Sequence, residues 1–198
     1  MSGSMDLSAA LGTITEYTYQ LGHDTTETIG DEDDGAEFRG FNVQHHTGYH
    51  YTTIVADDRA YGFVHFEFDI RQNIARKFAT ESDQPLQKAN AILDERYMDQ
   101  LEDCRPRLRE ILYGGDSIGE IQETENGTIQ GFTVNRRYYP TSDDFSLARY
   151  GDCVREVVST GRAAFEHLAT HTEVLGDEID ATAVDSARQS RDVRKGFQ

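Results

Sequence analysis

The sequence predicts an α+β protein in which antiparallel strands, three in a meander and two in a later hairpin, pack with helices in the order α-βββ-αα-ββ-α. Three observations predict it. Apolar residues recur at helical spacing in three separate stretches. Residues 37–70 are dense in Phe, Tyr, Val, Ile and Thr, the composition of strands. Short turn signals at Thr47-Gly48, Asp57-Asp58 and Asn126-Gly127 divide the strand-rich segments. A length of 198 residues suits one domain with a core of its own. The pattern places that domain at residues 6–171, followed by an acidic polar tail at 172–198 that is partly disordered or a short helix around Ile179, Ala183 and Ala187.

The first helix follows from Leu7, Leu11, Ile14 and Leu21, with Ala10 and Tyr17 beside them and Gly22 closing the run. Residues 22–36, rich in Asp, Glu, Thr and Gly, read as a solvated loop. In the meander, two-residue turns would set Val43 opposite Thr52, Phe41 opposite Ile54, Ile54 opposite Tyr61 and Tyr51 opposite Val64. One face then carries Phe41, Val43, Ile54, Tyr61 and Phe63, and the other Tyr51, Val55, Val64, Phe66 and Phe68. A sheet apolar on both faces is expected to be covered on both, by helices on one side and by a partner subunit on the other.

Residues 82–114 are predicted helical from Leu86, Ala89, Leu93, Tyr97, Leu101, Cys104, Leu108 and Leu112. Pro85 suits a first turn, whereas Pro106 predicts a break near Arg105. Residues 118–139 form a hairpin about Asn126-Gly127, with Ile121 opposite Phe132 and Gly119 opposite Val134. Pro140 stops the second strand. Leu147, Val154, Val157, Val158, Phe165 and Leu168 then mark a long amphipathic helix at 143–170.

Charge is the strongest compositional signal. There are 36 acidic residues against 19 basic ones, a net charge of -17, and only Lys77, Lys88 and Lys195 are lysines. Mean hydropathy is -0.65. The acids are spread along the chain. This composition resembles that of cytosolic proteins from salt-in halophilic archaea, whose acidic surfaces stay soluble when molar salt screens ordinary charge. The absence of a basic stripe argues against binding nucleic acid. No run of 18 apolar residues suggests a membrane span, and the N-terminus has neither the basic start nor the apolar run of a signal peptide. The expected location is the cytoplasm, where Cys104 and Cys153 would be reduced, buried thiols.

No motif specifies a reaction, so the expectation is a non-enzymatic protein without a cofactor. The constellation richest in chemistry is histidine. With the register above, His45 faces His50 and His50 faces His65, with Glu67 on the same face. Cross-strand neighbours lie about 4.5–5.5 Å apart at Cβ, close enough for imidazoles to share Zn²⁺ or another divalent metal. The alternative function is therefore a metal-binding protein or metal-dependent enzyme using His45, His50, His65 and Glu67. Partly exposed strand residues with no ligand would show the same pattern.

Residues 115–119, Gly-Asp-Ser-Ile-Gly, match the nucleophile-elbow pattern around Ser117. They lie between a helix and a strand, the reverse of the strand-to-helix turn that the mechanism needs. Asn126-Gly127-Thr128 is a formal glycosylation sequon explained by the turn itself. Arg105, Arg107, Arg109, Arg136 and Arg137 read as partners for surface acids.

The order of elements from Leu7 to Thr170 resembles the layout of class I type III secretion chaperones and chaperone-like relatives. The resemblance is one of topology and carries over no functional residue. It implies a small homodimeric module that binds an extended protein or peptide partner without catalysing a reaction.

Overall fold

The computed structural model describes residues 7–30, 38–56, 61–70 and 98–171. The described elements are α1 (Leu7–Gln20), β1 (Asp24–Ile29), β2 (Phe38–Gln44), β3 (His50–Ala56), β4 (Gly62–Asp69), α2 (Met98–Leu112), β5 (Ile118–Glu123), β6 (Ile129–Tyr138) and α3 (Leu147–His171). The class is α+β as predicted. The six strands form one sheet in the order β1-β2-β3-β4-β6-β5. Residues 172–198, the acidic stretch at 31–34 and the Asp57-Asp58 turn lie outside the described residues. Among the described residues, no helix is long and apolar enough to cross a membrane.

The meander has four strands where three were expected. Asp24–Ile29, predicted to be a solvated loop, pairs antiparallel with β2, with an irregularity between Thr25 and Glu27. Its side chains are mostly exposed. An edge strand exposed along most of its length needs no inward apolar alternation, so its polar sequence hid it. Its Thr and Ile side chains still favour an extended backbone.

The register also differs, for a reason visible at the turns. His45 N–H donates to Tyr49 O at 2.8 Å, and Gly48 N–H donates to His45 O at 2.8 Å. Thr124 N–H likewise donates to Thr128 O, and Gly127 N–H to Thr124 O. Gly48 (φ 90°) and Gly127 (φ 77°) adopt the left-handed conformation. Both connections are therefore three-residue loops ending in a left-handed glycine, rather than two-residue turns. The extra loop residue pairs Val43 with Tyr51 and Phe41 with Thr53. Between β3 and β4, Thr52 pairs with His65 and Ile54 with Phe63, because Ala56 and Tyr61 close four residues rather than two.

A one-residue slip moves side chains to the other face. Phe41 and Val43 thus join Tyr51, Val55, Val64 and Phe66, and all six are buried. The outer face keeps a smaller apolar patch of Phe38, Ile54 and Phe63 among Asn42, Thr52 and His65.

By internal contacts the chain divides into two compact units. The first contains α1, β1 to β3, β4 up to Glu67, the start of β5, the end of β6 and α3 up to Gly161. Its core includes Ile14, Val43, Tyr51, Val55, Val64, Phe66, Val134, Tyr138, Tyr150, Val154 and Val157. An alanine Cβ at Gly161 would lie 2.6 Å from Phe66 Cδ1. Overpacking of this kind costs about 1–3 kcal/mol. Gly161→Ala is therefore expected to lower the denaturation midpoint with an unchanged m-value in urea.

The second unit contains the end of β4, α2, most of β5, the start of β6 and the end of α3. Leu101, Cys104, Leu108 and Leu112 form the buried stripe of α2. The break expected near Arg105 does not occur, and α2 runs through Pro106. That buried stripe offsets the missing backbone hydrogen bond. Arg105 adds bonds from Nε and Nη2 to the Glu102 carboxylate at 2.7 and 2.9 Å, and from Nη2 to Gly127 O at 2.8 Å. Residues 82–97 of the predicted helix lie outside the described residues.

Candidate functional site

Three histidines of the first unit converge. The end of α1 sets the first. Gly22 N–H donates to Tyr19 O and His23 N–H to Thr18 O, the paired bonds of a glycine-terminated helix. This turns the chain into β1 and leaves His23 buried, 4% exposed. Asp24 pairs with Gln44 across β1 and β2, which brings His23 beside His45. His46 is the first residue of the three-residue loop.

One ligand nitrogen from each of His23, His45 and His46 lies within 4.8 Å of the other two. His23 Nε2 is 3.2 Å from His46 Nδ1. Ligands at about 2.0–2.1 Å from a tetrahedral Zn²⁺ are separated by about 3.3 Å, so this pair already has the spacing of two ligands on one ion. The ring centroids lie 4.3 Å apart for His23 and His45, and 4.0 Å for His45 and His46.

The surroundings orient the rings. His23 Nδ1 hydrogen-bonds the Tyr51 hydroxyl at 3.0 Å, and its Nε2 is hydrogen-bonded to His46 Nδ1 in the metal-free form, a bond that an ion between the two nitrogens would replace. His45 Nδ1 meets Thr47 Oγ1 at 2.7 Å; in the tautomer that donates its Nδ1–H there, Nε2 keeps the lone pair for a ligand. Metal-binding histidines are commonly held through the other ring nitrogen in this way. Behind His23, Tyr51 and Tyr150 are hydrogen-bonded to each other, and Tyr150 meets Thr18 Oγ1 at 3.1 Å. Burial, and then the neighbouring Tyr150, push the Tyr51 hydroxyl far above its ordinary range. Tyr51 therefore stays a neutral phenol that can accept from Nδ1–H and donate onward.

Burial lowers the pKa of His23, and His46 adds to the effect while Asp24 opposes it. Burial, His23 and His46 together bring His45 down to about 4. Both rings are thus neutral near pH 7, the form that binds metal. A histidine with a depressed folded pKa leaves the unfolded chain holding more protons below about 6.5. Stability of the metal-free protein is expected to fall as pH drops from about 6.5 towards 4. Thermal melts across that range should show a shallower fall for His45→Asn than for the native chain. Parallel curves would contradict the assignment.

The histidine row expected from two-residue turns does not form. His50 pairs with Gln44 and is exposed. His65 pairs with Thr52, with Nδ1 2.5 Å from Asn135 Oδ1 and Nε2 3.4 Å from Glu67 Oε2. Of the expected set His45, His50, His65 and Glu67, only His45 enters the three-imidazole cluster. His23 was missed because it fell in the stretch read as a loop, and His46 because a two-residue turn pointed it away from its neighbour.

Ser117 sits between α2 and β5, in helix-to-strand order. Its N–H donates to Glu156 Oε1, and Glu156 also pairs with Arg136. Ser117 therefore lacks the helix N-terminus that a nucleophile elbow requires. Arg105 and Arg107 pair with Glu102, Glu123 and Glu110, as expected of surface cations.

No protein-family model matches the chain, and no curated protein matches it. Among solved structures it is similar to an uncharacterized protein from Methanothermobacter thermautotrophicus. The identity is 10% and the TM-score 0.55, over 80% of this chain and 96% of that one. At that identity the likeness shows the fold alone.

Proposed function

We propose that this is a metal-binding protein that holds a divalent transition metal, Zn²⁺ or a close relative, on His23, His45 and His46. The 3.2 Å approach of His23 Nε2 to His46 Nδ1 carries the reading. All-imidazole donors suit Zn²⁺, Cu²⁺ and Ni²⁺ rather than Ca²⁺ or Mg²⁺. Three protein ligands leave one tetrahedral position for water or a further ligand. Zn²⁺ titration by calorimetry tests it. The His45→Ala/His46→Ala double variant is expected to bind one equivalent fewer than the native chain. Equal stoichiometry in the two proteins contradicts the proposal.

A second reading, a chaperone-like homodimeric module that binds an extended partner, is favoured by the apolar groove on the outer face of the first unit. Phe38, Ile54, Phe63 and Ile118 line it together with His65, Asn135 and Arg137. Ile118 is 61% exposed. Light scattering tests this reading. A dimer that dissociates in Ile118→Asp/Phe63→Asp supports it, and a monomer at all concentrations opposes it.

The charge of -17 with three lysines supports a cytoplasm of high salt as the setting for either function. Screening of self-repulsion is then expected to raise the melting temperature between low and molar KCl. A melting temperature unchanged by salt would count against that setting.

A further inference from the structure

We infer that the second unit contains a separate, sulfur-containing metal site formed by Cys104 of α2 with His167 and His171 of α3. The three residues each offer a ligand atom within 4.8 Å of the others. His167 and His171 are one helical turn apart, so both project from one face of α3. Their rings lie 4.5 Å apart.

The second nitrogen of each ring is already engaged. His167 Nε2 donates to Cys104 O at 3.3 Å, and His171 Nδ1 donates to His167 O at 2.8 Å. Two donations to backbone carbonyls fix both tautomers and leave His167 Nδ1 and His171 Nε2 as lone-pair donors. Two independent contacts thus orient the rings as a metal site requires.

Cys104 is 1% exposed and His171 is exposed, so an ion would enter from the His171 side and meet the sulfur last. Burial, with Asp103 nearby, keeps the metal-free thiol protonated. Binding forms the metal–sulfur bond as the thiol proton leaves to water. One thiolate and two imidazoles select Zn²⁺, Cu⁺ or Co²⁺ over hard cations. The site shares no residue with the three-histidine cluster and does not depend on it.

Co²⁺ is the probe, because a cobalt–thiolate bond has a near-ultraviolet charge-transfer absorption that imidazole ligands lack. Titration of the native chain is expected to show that band, and Cys104→Ser to abolish it. Cys153→Ser, which removes the other thiol, should retain it. His171→Ala changes only an exposed side chain and should weaken the binding read from the band by at least about tenfold. The band should persist in His45→Ala/His46→Ala, which separates failure of this site from failure of the other. Absence of the band in the native chain, its survival in Cys104→Ser or unchanged binding in His171→Ala would overturn the inference.

Discussion

Replacing His46 with alanine is expected to weaken Zn²⁺ binding at the three-imidazole cluster by at least about 100-fold, since loss of even an outer-shell partner costs about 10–100-fold. His46 is exposed, so the fold should survive, and calorimetry reads the loss directly. Tyr51→Phe is expected to do less. It removes only the acceptor that holds His23 Nδ1, so its effect falls within that outer-shell range. The order His46→Ala worse than Tyr51→Phe is the signature of a ligand and its support. Equal effects would indicate a general loosening of the region instead.

Tyr150→Ala is expected to destabilise the first unit by about 3–5 kcal/mol, the cost of emptying a large aromatic site in a core. Tyr150 is fully buried. Its ring packs edge-on against Tyr138 at 5.6 Å, and Tyr17 lies 6.3 Å away. Its hydroxyl joins the chain from Thr18 to Tyr51. Tyr150→Phe keeps the ring and loses only the hydroxyl, for about 1–2 kcal/mol. Urea denaturation of the two variants separates packing from hydrogen bonding. A Tyr150→Phe cost equal to that of Tyr150→Ala would contradict a packing role.

The helices were legible because their apolar stripes are buried stripes. Ile14 on α1, Leu108 and Leu112 on α2, and Val154, Val157 and Leu168 on α3 all lie in the core. The strands after residue 37 were legible from aromatic and β-branched density. Their register was not, because Thr47-Gly48 and Asn126-Gly127 suit two loop lengths, and only the backbone hydrogen bonds distinguish them. That single residue decided which histidines meet. It separated His45 from His50 and placed it with His46 and His23. β1 escaped notice because an exposed edge strand carries no apolar alternation. The continuity of α2 through Pro106 escaped because tertiary packing outweighed a strong local signal.

The metal site proposed for the first unit places three imidazoles on one ion. Zinc X-ray absorption on Cys104→Ser, loaded with one equivalent of Zn²⁺, tests it most directly because the sulfur-containing site is removed. Three imidazole nitrogens at about 2.0–2.1 Å are expected, with no sulfur at about 2.3 Å. A sulfur shell, a coordination sphere of oxygen alone or failure to retain zinc would contradict it.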